Sequence, residues 1–139
     1  MVRSVREIRD AFHLAIPVHD LDAALDFYVT GLGCKLARRY ADRITLDFFG
    51  DQVVCHLTEM EVPDPGAQDL YPRHFGITFA QRDDLDRLLR LVEVRKLAVY
   101  REPATRFAGM VEEHTTLVLR DPSGNLLEFK HYVDPRMMY

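Results

Sequence analysis

Six histidines are spread along this 139-residue chain, and three of them, with one glutamate, fall where strand patterning puts them on matching faces. In AFHLAIPV, residues 11–18, alternation sets Phe12, Leu14 and Ile16 on one face and His13, Ala15 and Pro17 on the other. In HFGITFA, residues 74–80, Phe75, Ile77 and Phe79 share one face and His74, Gly76 and Thr78 the other. His56 shares a face with Val54 and Thr58, and Glu128 shares one with Leu126, Lys130 and Tyr132. Two imidazoles and a carboxylate with open positions are the donor set of a divalent metal that must also accept a substrate. His13, His74 and Glu128 are therefore the expected ligands. His56 is the expected fourth ligand or proton carrier, since histidine titrates near neutral pH.

The elements that must position these groups repeat. A first strand is followed by a helix capped by Asp20, with Leu21, Ala24, Leu25 and Tyr28 at helical spacing and a stop at Gly31–Gly33. Strands are expected near 34–40, 43–49 and 52–58, with a tight turn at Gly50-Asp51. EVPDPGAQDLYP, residues 61–72, carries three prolines and reads as a linker. The pattern then restarts: a strand at 74–80, a helix with Asp83 as cap and Leu85, Leu88, Leu89 and Val92 as its apolar stripe, a strand near 97–102, and a long loop through 103–114. TTLVLRD, the DPSGN turn and NLLEFKHY close the set. The order is β-α-β-β-β twice, an internal repeat. The division is one domain over 1–139, with module one at about 8–60, the linker at 61–72 and module two at about 73–133. A two-fold pseudo-repeat would set His13 opposite His74, and His56 opposite Glu128, across one cavity. The 103–114 loop is long enough to serve as a lid. His114, Phe107, Arg106 and Tyr28 are the candidate pocket residues.

Composition narrows the classes. Hydrophobic residues make up 47 % of the chain and charged residues 29 %, so it can bury a core. The net charge of −4 and the lack of a basic stripe argue against nucleic acid. No apolar run reaches the ~20 residues of a membrane helix, and the N-terminal residues lack the apolar core of a secretory signal. Two cysteines, Cys34 and Cys55, make no disulfide framework and no CxxC zinc spacing, which fits a reducing cytoplasm. No GxGxxG, P-loop or GxSxG is present.

FHLAIPVHDLDAALDFYVTGLG, QVVCHL, HFGITF and DPSGNLLEFK together resemble the vicinal oxygen chelate superfamily, which joins glyoxalases, bleomycin resistance proteins and extradiol dioxygenases. The resemblance spans roughly 11 to 132. It implies an α+β fold in which two βαβββ modules form a cupped eight-stranded mixed sheet around a metal. It implies one divalent ion per site, iron or manganese ahead of zinc, nickel or cobalt, and a substrate that chelates it through neighbouring oxygens. It implies a small-molecule ligand and a homodimer, which in some relatives completes the cup between subunits. A dioxygenase-like oxidoreductase is the expected activity. A glyoxalase-type isomerase, lyase or epimerase and a non-catalytic antibiotic-binding resistance protein are the alternatives. Glyoxalases usually carry a glutamate where this chain has His56, which weakens that assignment. Bleomycin-binding members lack the metal ligands, which weakens the last.

Overall fold

The structure is a computed structural model, and it describes residues 5–139. In chain order the first module is β1 (His13–Val18), α1 (Leu21–Leu25), which runs on into a π-helical turn at Asp26–Gly31, β2 (Lys35–Arg39), β3 (Arg43–Phe48) and β4 (Asp51–Leu57). The second is β5 (Phe75–Thr78), α2 (Arg82–Arg95), β6 (Val99–Arg106), β7 (His114–Arg120) and β8 (Leu126–Tyr132). Each module closes a four-stranded mixed sheet, ordered β1-β4-β3-β2 and β5-β8-β7-β6. In both, the first strand lies parallel to the last and the other neighbours are antiparallel. The β-α-β-β-β repeat is thus present twice, in the same sheet order.

Local chemistry explains the helices. The Asp20 side chain accepts from Ala23 N–H and caps α1, and Gly33 at φ +80° lets the chain leave the π turn. α2 differs from expectation at its start: its N-cap is Gln81, which makes no side-chain capping bond, and Asp83 sits inside the first turn, where its charge favours the helix dipole. Its last turn closes on Lys96 in the left-handed region. Among the described residues, no helix is long and apolar enough to cross a membrane.

One core joins the modules. Ile16, Val18, Phe27, Tyr28, Ile44, Leu46 and Phe48 of the first pack with Leu85, Leu88, Leu117, Leu119, Leu127 and Phe129 of the second. Burial of this apolar surface is the main stabilising contribution. Phe12 is the exception among the expected core residues: it precedes β1 and is 55 % exposed. A polar lock crosses the junction. Asp121, 1 % exposed, accepts from the N–H groups of Ser123 and Asn125, from Asn125 Nδ2 and, at 2.7 Å, from the hydroxyl of Tyr28. Asn125 Nδ2 also donates to the Pro17 carbonyl, and His19 pairs with Ser123. So the DPSGN turn of module two is docked on the β1–α1 corner of module one. Tyr28 is accordingly a core residue and not part of a pocket, because its hydroxyl is used to satisfy a buried carboxylate.

The 103–114 loop is shorter than the sequence suggests. β6 continues through Arg106, because its pairing with β7 resumes at Ala104↔Thr116 after an irregularity, leaving 107–113 as the connection.

Candidate functional site

β5 and β8 build one side of the site. Gly76 lies opposite Glu128 in the parallel ladder, and a Cβ at Gly76 would come within 1.7 Å of the Glu128 carbonyl oxygen. Only glycine permits that approach. His74, two residues earlier and on the same face, places its Nε2 3.1 Å from Glu128 Oε2. Its Nδ1 is 2.9 Å from the Leu70 carbonyl. A carbonyl only accepts, so Nδ1 carries the proton. Nε2 is then the ring atom aimed at the carboxylate, the geometry in which a histidine held by an orienting carbonyl can ligate a metal. Thr116 donates to Glu128 Oε1 at 3.1 Å, and Lys130 Nζ stands 3.8 Å from the same oxygen. The Tyr71 ring meets the His74 ring edge-on at 5.7 Å.

Glu128 opens onto a cavity of about 320 Å³ between β6, β7 and the linker, lined also by Tyr71, Arg101, Arg106, Thr116 and Val118. Of the other expected pocket residues, Phe107 packs against His114 and lies near the Arg106 guanidinium, but does not line this cavity. His114 is 8 % exposed, held by the Glu112 carbonyl and between the rings of Phe107 and Tyr132. It is a packed histidine, not a residue of the cavity mouth.

His13 stands apart from this pair. It is exposed on β1, and its Nδ1 donates to Gln52 Oε1 on β4. Among the described residues, no group of three His, Cys, Asp or Glu side chains is gathered tightly enough to hold a metal ion. So no three of His13, His56, His74 and Glu128 converge within the single chain. The ladders show why His56 and Glu128 are not equivalents. His13 pairs with Gln52, Ala15 with Val54 and Pro17 with His56. Gly76, the counterpart of Ala15, pairs with Glu128. Val54, not His56, thus occupies the Glu128 position of module one. His56 lies two residues further along the same face, exposed at the end of β4. As a test of fit, His74 and Glu128 suit a divalent cation in donor type, tautomer and spacing, while a third donor must come from outside their immediate neighbourhood.

Several participants escape the sequence. Gln52 and the Leu70 carbonyl orient the two histidines but carry no motif. Thr116 could have been found, since alternation along β7 puts it on the His114 face. Arg101 could not, because an irregularity in the β6–β7 register sets which face it takes. Cys34 and Cys55 are buried and free, as small apolar residues.

The comparisons with known proteins agree with this architecture. The family model described as the Glyoxalase/Bleomycin resistance protein/Dioxygenase superfamily matches residues 11–129. The glyoxalase domain-containing protein RDO1 of Mycosarcoma maydis is 32 % identical over 136 residues, covering 93 % of this chain and 72 % of that protein. The virulence protein STM3117 of Salmonella typhimurium is 26 % identical over 121 residues, covering 87 % of this chain and 83 % of that protein. A glyoxalase/bleomycin resistance protein/dioxygenase from Alicyclobacillus acidocaldarius has a solved structure that superposes with a TM-score of 0.89, at 58 % identity over 97 % of this chain and all of that one. With its two βαβββ modules and a family match over most of its length, the chain belongs to the glyoxalase/bleomycin resistance protein/dioxygenase superfamily.

Proposed function

We propose that this protein is a divalent-metal-dependent enzyme, dioxygenase-like in its chemistry, acting on a small molecule that chelates the metal through neighbouring oxygens. The observation that carries the reading is the His74–Glu128 pair. A neutral imidazole lone pair and a carboxylate oxygen 3.1 Å apart repel unless a proton or a cation lies between them. The Leu70 carbonyl fixes the ring in the tautomer a metal needs, and nitrogen with carboxylate oxygen suits iron or manganese as well as zinc, nickel or cobalt.

The third donor is the partner subunit's His13, in a homodimer that brings the open face of one β1 sheet against the β5 sheet of the other copy. Support comes from His13 itself. It is exposed, and its Nδ1 is occupied by Gln52, so its Nε2 is left as an outward-facing lone pair. His56, on that same exposed face, is a fourth donor or proton carrier. The bound metal would supply Lewis acidity and a template for substrate oxygens. The chain's own part is to hold Glu128 through Thr116, orient His74 through Leu70, and set the positive charge of Lys130 beside Glu128.

The test is metal content by mass spectrometry of anaerobically purified protein, wild type beside Glu128→Ala and His13→Ala, with oxygen uptake followed on a catechol. About one iron or manganese per chain is expected, with affinity reduced about tenfold or more in each variant. Unchanged metal content in both variants would sink the assignment. Zinc, nickel or cobalt without oxygen uptake would move the reading to a glyoxalase-type isomerase or lyase.

A further inference from the structure

We propose that the cavity over Glu128 receives an anionic group of a small substrate, a carboxylate or a phosphate, gripped between Arg101 and Arg106. The proposal rests on the metal reading only for which end of the molecule reacts.

The register of β6 carries the argument. Arg106 pairs with His114, Ala104 with Thr116 and Arg101 with Val118. Those three β7 partners alternate along one face, the face of Glu128, which itself pairs with Val118. Residues 101 and 104 are an odd number apart and in an unbroken strand would point to opposite sides. Counting back from Ala104 in regular alternation, Glu102 would stand opposite Val118. The register shift between Arg101 and Ala104 inserts one extra residue and gives that place to Arg101. Bulges commonly re-aim a side chain beside an active site. Here the bulge sets the Arg101 guanidinium across from Glu128, with Glu102 next to it on the cavity wall.

Neither arginine is spent on a carboxylate. Among the described residues, Arg101 and Arg106 form no ion pair; each lies only over a neighbouring ring, Tyr100 at 5.8 Å and Phe107 at 5.5 Å. Glu128 is already engaged by His74, Thr116 and Lys130. Both arginines remain open to solvent on a cavity of about 320 Å³, the size of a small-molecule site. A guanidinium offers a planar fork of donors that matches a carboxylate or phosphate two bonds at a time. Leu70 and Tyr71, on the linker side, supply an apolar and aromatic wall for the body of such a molecule. Glu102 also lines the cavity; with a divalent metal at His74 and Glu128, the positive charges of Lys130 and the two arginines still outweigh that one further carboxylate and leave the site in want of an anion.

The test is calorimetric titration of the full chain at low ionic strength with two probes, inorganic phosphate and benzoate. It compares wild type, Arg101→Gln/Arg106→Gln and Glu128→Gln, with metal content measured on each. Expected is binding of at least one probe to wild type, weakened about tenfold or more in the double arginine variant, with metal content unchanged there. The tighter of the two probes names the anion. Glu128→Gln should lose metal and keep the probe. Binding of neither probe to wild type, affinity unchanged in the arginine variant, or binding lost in Glu128→Gln alone would each overturn the proposal; the last would put the anion on the metal. Arginine-dependent binding to a wild type that holds no metal would support the anion cavity and sink the metal reading. Melting temperatures within a few degrees of wild type check that the exposed substitutions leave the fold intact.

Discussion

At the head of β1, His13 is open to solvent and is steadied by a side chain, Gln52; at the head of β5, His74 is half-buried and is steadied by a backbone carbonyl, Leu70. The two histidines end in the same tautomer by different means. Their surroundings differ more. Opposite Ala15 in module one is Val54, 6 % exposed, whereas opposite Gly76 in module two is Glu128. A repeat can therefore duplicate a backbone without duplicating its chemistry. Module two holds a pair of donors; module one presents a single histidine to whatever faces it. That asymmetry is the physical reason the proposed metal site draws on a second copy.

The comparison can be broken most forcefully at Gly76. Gly76→Ala puts a methyl against the Glu128 backbone, and since backbone cannot yield as a flexible side chain does, β5 or β8 must move. A loss of about 2 kcal/mol or more in denaturant unfolding is expected, together with loss of metal binding. The converse change in module one, Ala15→Gly, lacks any such clash and should cost about 0.5–1 kcal/mol. Equal effects would show that the close approach in β5 is not special.

A smaller effect tests the joint between the halves. Tyr28→Phe removes one of the donors to buried Asp121, and a loss of about 1–2 kcal/mol is expected. Unfolding should stay a single transition, with the midpoint lowered. Splitting into two transitions would show that the modules are held by this bond more than by their shared core.

The mildest test reads module one alone, because both cysteines lie there. Burial pushes the thiols of Cys34 and Cys55 up to about 12, with Asp47 adding to the rise at Cys34 and Asp121 at Cys55. A raised pKa means that the folded state keeps the proton while the unfolded chain gives it up at about pH 8.5. The contribution to stability is complete below that pH and is lost as pH climbs toward 12. Melting temperature should fall across that window, and fall less in Cys55→Ala than in wild type. At pH 8 the native thiols should react at least about a hundredfold slower than in denatured protein. Fast labelling of the native chain would mean that module one opens by itself.

Alternation and turn signals made both modules legible, down to the strand faces that carry His74 and Glu128, because a half-buried strand must write its faces into the sequence. What stayed illegible has a common cause. Pairing register is a property of two strands at once, so the equivalence of Val54 rather than His56 with Glu128, and the promotion of Arg101 over Glu102, could not be read from either strand alone. Tyr28 misled for a related reason: a polar tip on a helix looks like a pocket residue until its partner, 93 positions away, is known. Asp83 has the chemistry of a cap but lies two residues too late, since the chain enters α2 in extended form at Gln81.

Residues 61–72 form the linker between the two modules. Its prolines and irregular path mark it as the stretch most free to drift, yet Leu70, 2 % exposed, lends its carbonyl to His74, and Gln68 is tied to Gly124, Tyr100 and Arg120 of module two. A graft that exchanged residues 61–72 for those of a relative would look like the replacement of a spacer. In practice it would retune the angle of an imidazole, so a segment with the look of a spacer serves as part of the alignment of the site.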